Sequence, residues 1–124
     1  MPRLALLTAI IVLSLPESLV GQVLTINGNA LSRYCTATDA QGQITQAMVA
    51  GTCLGYVAAT IDIMSSGGSV NGFRGCVPSN ADMNQIIDIV KKYIQDHAEK
   101  RHLLATRLVA EALASAFPCP RIPR

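Results

Sequence analysis

The chain has 124 residues, half of them apolar, with no Trp and a formal net charge of +2. This is enough for one domain with a modest aliphatic, Ala-rich core. So small a charge excess, with no basic stripe interleaved with aromatics, excludes a nucleic-acid-binding reading.

The first stretch reads as a targeting signal. Arg3 gives a short positive region, Leu4 to Leu15 is an apolar run, and Pro16 breaks it. Cleavage is expected near Gly21, with Ser18 the alternative, so residues 1–21 are a signal peptide and residues 22–124 the mature domain. The apolar run is short for an uncleaved anchor. Losing Arg3 and Glu17 together leaves the mature charge at +2.

Export places the remainder in an oxidising compartment, the periplasm. All four cysteines, Cys35, Cys53, Cys76 and Cys119, lie in the mature part. An even number in a short exported chain reads as a disulfide framework. A metal site is the rival, but there is no Cys-x-x-Cys and neither histidine is near a cysteine in sequence, so no metal and no cofactor is expected.

Along the mature chain, Asn29 is the expected cap of a short first helix running through Leu31 and Tyr34 to about Cys35. Thr36 to Gly42 is a polar connection. A long helix follows from about Thr45 to Met64, uncharged before Asp62. Met48, Val49, Cys53, Tyr56, Val57, Thr60, Ile61 and Met64 recur at helical spacing as one buried stripe. Gly51, Gly55, Ala58 and Ala59 form a second, small-residue stripe that would let a neighbouring backbone approach. Two covered sides make this the central helix. The run is about as long as the shortest membrane spans, but it is rich in Gly, Ala and Thr and ends in a charge, so a core helix is preferred.

Ser65 to Gly75, with four glycines, reads as a flexible exposed loop. It is not a phosphate loop, lacking Gly-Lys-Ser/Thr. Phe73 and Arg74 sit inside it. The simple reading packs Phe73 on the core and solvates Arg74; the functional one makes the pair a contact for a protein partner. Asp82, with Gln85 three residues on, caps a third helix whose buried side is Ile86, Ile87, Ile89, Val90, Tyr93 and Ile94. A fourth is expected from about Glu99 to Phe117, stopped by Pro118 and Pro120. A link of only a residue or two sets these last helices antiparallel. That brings Cys76 to Cys119 and leaves Cys35 for Cys53, one of the three pairings four cysteines allow. The expected fold is all-α: a small bundle of about four helices stapled by two disulfides. The long helix and the Ala-rich fourth one leave room for a homodimer.

The ordered series Cys35, Cys53 to Ala58 with Asp62, Gly75 to Pro78, Gln85 with Asp88, Val90 and Tyr93, Asp96 and His97 with Arg101 and His102, and Ala116 to Cys119 resembles the Rap/Tai family. Ala98 stands where the family usually carries proline. The resemblance implies a small exported helical protein with disulfides. It further implies an immunity protein that binds and blocks a peptidoglycan amidase toxin delivered by type VI secretion.

A catalytic reading fares poorly. The histidines are His97 and His102, flanked by Asp96, Glu99 and Arg101, and disulfide-bonded cysteines supply no thiolate nucleophile. For the histidines, helix-end bonding and a solvated turn are preferred, and for Asp62 a structural bond to a neighbouring backbone N–H. No catalytic residue is assigned and a non-enzyme is expected. A periplasmic stress or chaperone-like protein is the alternative function.

Overall fold

The computed structural model describes residues 25–37 and 44–121. The expected signal peptide lies outside the described residues, as does most of the polar connection. Four α-helices follow one another: α1 (Gly28–Thr36), α2 (Ile44–Ser65), α3 (Met83–Asp96) and α4 (Ala105–Ala116), with a 3₁₀ turn at Ala98–Lys100. Among the described residues β-pairing is confined to single bridges, Asn27 with Leu104 and Val70 with Phe73.

The cap of α1 is Asn27, not Asn29: its side chain accepts from Ala30 N–H at 3.0 Å. Gly28 must then start the helix, because a Cβ there would run into Leu108 Cδ1 and come within 2.9 Å of Arg101 Cα. Asp82 caps α3 as expected, accepting from the N–H groups of Asn84 and Gln85. At the end of α2, Gly67 adopts φ 84°. Gly67 N–H donates to Met64 C=O and Gly68 N–H to Ile63 C=O, the paired bonds that close a helix on a left-handed glycine.

The link between the last two helices is longer than expected. It runs from His97 through the 3₁₀ turn to Leu104. Its backbone groups are used elsewhere: Gly28 N–H donates to Leu103 C=O, Asn29 N–H to Arg101 C=O, and Ala105 N–H to Ile26 C=O. Pairing with the segment ahead of α1 replaces helix continuation and satisfies these backbone groups. Arg101 ties the corner down by donating to the carbonyls of Ile94 and Gln95 at the end of α3.

The helices α3 and α4 nevertheless lie antiparallel. Cys76, ahead of α3, bonds Cys119, beyond α4, with Cα atoms 4.9 Å apart. Cys35 of α1 bonds Cys53 of α2, Cα atoms 5.0 Å apart. The bonds close segments of 18 and 43 residues. On the chain-entropy account they stabilise by roughly 3 and 4 kcal/mol, comparable with the net stability of a small domain.

One core runs through the bundle. Leu31 and Cys35 from α1, Cys53, Val57 and Met64 from α2, Ile86, Ile87, Val90 and Ile94 from α3, and most of α4 meet in it. The two-sided burial expected of α2 is not found. Its Cys53, Val57, Thr60 and Met64 face the core, whereas Met48 is 73% exposed. Gly51, Gly55 and Ala59 are exposed as well, and no atom lies within 4 Å of a Cβ built at either glycine. Asp62, expected on a packed face, is exposed. Gln46–Ser65 has the length and composition of a membrane span, yet it packs against α1, α3 and α4 and carries the bond to Cys35. The central helix is α4: Ala105 and every residue from Leu108 to Leu113 are buried.

Candidate partner-binding face

Ser65 to Gly75 is built, not loose. Val70 and Phe73 exchange both backbone hydrogen bonds at 3.0 Å, across Asn71 with φ 51° and Gly72 with φ 83°. Two consecutive positive φ angles are the mark of a type I′ turn, which Asn-Gly favours. The turn is anchored at both ends. Asn71 Nδ2 donates to Thr106 Oγ1 of α4. Gly75 is buried so tightly that a Cβ would stand 3.1 Å from the Leu113 carbonyl group. Cys76 N–H donates to Phe117 C=O at 2.8 Å.

The turn forms a ridge between two concavities. On one side lies a groove of about 400 Å³ on the outer face of α2, lined by Gly55, Tyr56, Ala59, Ile63 and, from the turn, Val70. On the other, a concavity of about 680 Å³ is lined by α3 and α4 residues and, from the turn, Phe73. The first is almost wholly apolar; the second mixes apolar and charged groups. Phe73 is half-buried and packs against the core, so it is both a packing residue and part of an accessible rim. Arg74 is exposed, and no ion pair holds it among the described residues.

Beneath Phe73 is an ionic network that sequence reasoning did not pick out. Glu111, only 6% exposed, receives three donors: Tyr93 OH at 2.7 Å, Lys100 Nζ at 2.9 Å and Arg107 Nε at 2.9 Å. Lys100 Nζ also donates to Tyr93 OH at 3.0 Å. Burial pushes the Glu111 carboxyl up, but the bonds from Tyr93, Lys100 and Arg107 outweigh it and hold its pKa at about 2. Hydrogen bonds to Glu111 and then to Tyr93 raise the Lys100 ammonium. Burial, then the bond to Glu111, push the Tyr93 phenol up. The Arg107 guanidinium lies 5.8 Å from the centroid of Phe73, so the ridge rests on a paired network whose two cations and one carboxylate leave one positive charge. The signal was available: Arg107 and Glu111 are one turn apart on one helix, and a lone acid between Ala110 and Ala112 needs partners when buried.

The two histidines do not meet. His97 stacks on Tyr93, ring centroids 4.0 Å apart, and its Nδ1 lies 2.8 Å from the Tyr93 carbonyl. His102 is exposed. Among the described residues no group of three His, Cys, Asp or Glu is placed to hold a metal ion. All four cysteines are in disulfides.

These features describe a small helical protein stapled by disulfides, with a stiff ridge between two concavities. The family model for Rap1a immunity proteins matches residues 27–119. The chain therefore belongs to the Rap1a immunity family. No curated protein matches it.

Proposed function

We propose that this immunity-type protein acts in the periplasm, where it binds and blocks a type VI-secreted peptidoglycan amidase. It works as a steric inhibitor and not as an enzyme. Its contact is the ridge that carries Phe73 and Arg74, with the flanking concavities receiving groups of the toxin. The observation that carries the reading is the ridge itself: a turn closed by two backbone hydrogen bonds, pinned to α4 and seated between two concavities. A contact already rigid loses little conformational entropy on binding, and aromatic and Arg residues are the commonest binding hot spots. A Cys35–Cys53 and Cys76–Cys119 framework suits an oxidising compartment.

Affinity capture with the oxidised chain from its own cell envelope is the test. Recovery of a cell-wall amidase, and protection of cells from it only when the leader is intact, is the expected result. Phe73→Ala should weaken binding by tenfold or more, the effect of about 1.4 kcal/mol, while the circular dichroism stays helical. An amidase bound equally well by Phe73→Ala and Arg74→Ala variants would place the contact elsewhere.

A periplasmic chaperone-like role has one observation in its favour, the uncovered apolar face of α2 with Met48, Leu54 and Ile63 exposed. Such a protein would suppress aggregation of unrelated clients at low pH; failure to do so removes that reading.

A further inference from the structure

The two disulfides occupy opposite environments. Cys35 and Cys53 are 0% exposed and belong to the continuous core. Cys76 is exposed and Cys119 half-buried, and Cys76 opens on a cavity of about 370 Å³ that Met64, Gly75 and Ser79 also line. Thiol–disulfide exchange needs a thiolate to reach one of the two sulfurs, so access governs which bond opens in a folded protein.

The accessible bond is the covalent one among the ties that fasten the ridge, beside the Asn71–Thr106 bond and the packing of Gly75 on Leu113. Cys76 follows Phe73 by three residues. Its own N–H donates to Phe117 C=O, and it is joined to Cys119 just past the end of α4. Between Gly75 and Asp82 no other covalent link ties the chain to α4. We propose that Cys76–Cys119 is a redox-sensitive clasp: a dithiol reductant opens it in the folded protein, loosening the C-terminal anchor of the Phe73–Arg74 ridge, while Cys35–Cys53 stays closed. Its role in partner binding rests on the reading of the ridge given above; its order of opening does not.

The exchange balances without any other reactant. One thiolate of the dithiol attacks Cys76 Sγ, the Sγ–Sγ bond breaks, and Cys119 leaves as a thiolate that takes up a proton. The second thiol of the reductant then displaces Cys76 and closes its own disulfide. Two electrons pass from the dithiol to the protein, which ends with two thiols. Chain entropy does not dictate this order. It assigns the greater stabilisation to the bond closing the longer segment, Cys76–Cys119, whereas access makes that same bond the first to be reached.

The test is graded treatment of the oxidised chain with dithiothreitol, quenching with a thiol alkylator, and mapping of each cysteine. Cys76 and Cys119 should be alkylated at least about tenfold faster than Cys35 and Cys53, as expected when access sets the exchange rate. Amide hydrogen exchange from Val70 to Cys76 should rise at the same reductant level, with α1 and the middle of α2 unchanged. Labelling of all four with one rate constant, earlier labelling of Cys35 or Cys53, or an unchanged ridge overturns the clasp. A Cys76→Ser, Cys119→Ser double variant should keep its helical circular dichroism and reproduce the raised exchange; if it does not fold, the labelling order on the native chain still decides. An amidase recovered by the oxidised chain and equally by the folded double variant overturns the gating role. Recovery by neither overturns the ridge as an amidase contact while the labelling order stands.

Discussion

Helices α2 and α4 exchange the roles their compositions suggest. Before Asp62, α2 has no charge, yet it buries one face and leaves Leu54 43% and Ile63 46% exposed. Helix α4 carries Arg107 and Glu111 and is buried on all sides from Leu108 to Leu113. The difference lies in partners. Three helices surround α4, and its one buried acid is satisfied by three donors. An uncharged helix can be left half uncovered, since apolar side chains exposed one at a time are ordinary on a protein surface. A charge in the middle of a helix, conversely, does not keep that helix at the surface if the charge is paired.

The comparison is tested hardest by deleting one leucine from each helix. Leu113 of α4 is 0% exposed, so Leu113→Ala should lower unfolding free energy by about 2–5 kcal/mol, the range for opening a cavity in a core. Leu54→Ala on α2 should change it by about 0.5 kcal/mol or less, as an exposed substitution does. Urea denaturation of the two variants reads both values. Similar losses would mean that α2 is covered in solution.

The second effect concerns the paired charge in α4. Glu111→Gln should cost about 1–3 kcal/mol near neutral pH, because donors then face a weaker acceptor. The figure belongs at the lower end, since Lys100 and Arg107 are 35% and 47% exposed and water screens them. The folded pKa of about 2 lies below the ordinary value of 4.5, so the carboxylate's contribution is complete above the unfolded value. It is lost as pH falls through that window towards 2. Stability followed from pH 6 to pH 2 should decline less steeply in the Gln variant than in the parent. Parallel curves would show that Glu111 does not carry the acid sensitivity.

Much of this architecture is legible in the sequence. The all-α class, the Asp82 cap and the apolar sides of α1 and α3 follow from helical spacing, and the cysteine positions follow the antiparallel pair. Other features depend on contacts that spacing does not encode. Spacing shows which residues of α2 share a face but not whether a neighbour covers it, so the Gly51 and Gly55 stripe was expected to be packed. Helix α4 starts at Ala105 and not near Glu99, because the 101–105 backbone pairs with a segment more than seventy residues away, and local propensity carries no trace of that. Glycine content suggests a flexible loop, although Asn71-Gly72 between Val70 and Phe73 is a strong turn signal. The Phe73 rim and the Glu111 network depend on that turn and on three separate elements meeting, which only tertiary structure brings together.

The smallest effect follows from the uncovered stripe of α2. Glycine inside a helix is less favourable than alanine by about 0.5–1 kcal/mol, mostly through backbone entropy in the unfolded chain. At a packed glycine that gain is cancelled by the clash of the new methyl group. Gly51 and Gly55 lie inside α2, with φ outside the left-handed region and nothing within 4 Å of an added Cβ. Gly51→Ala and Gly55→Ala should therefore each raise unfolding free energy by about 0.5–1 kcal/mol, or the melting temperature by a few degrees. The double variant should be close to additive, because the two methyl groups point to solvent on successive turns without a shared partner. A loss of stability at Gly55 would mean that the groove between α2 and the ridge is filled in solution, and α2 would then regain the second covered face that its small residues suggest.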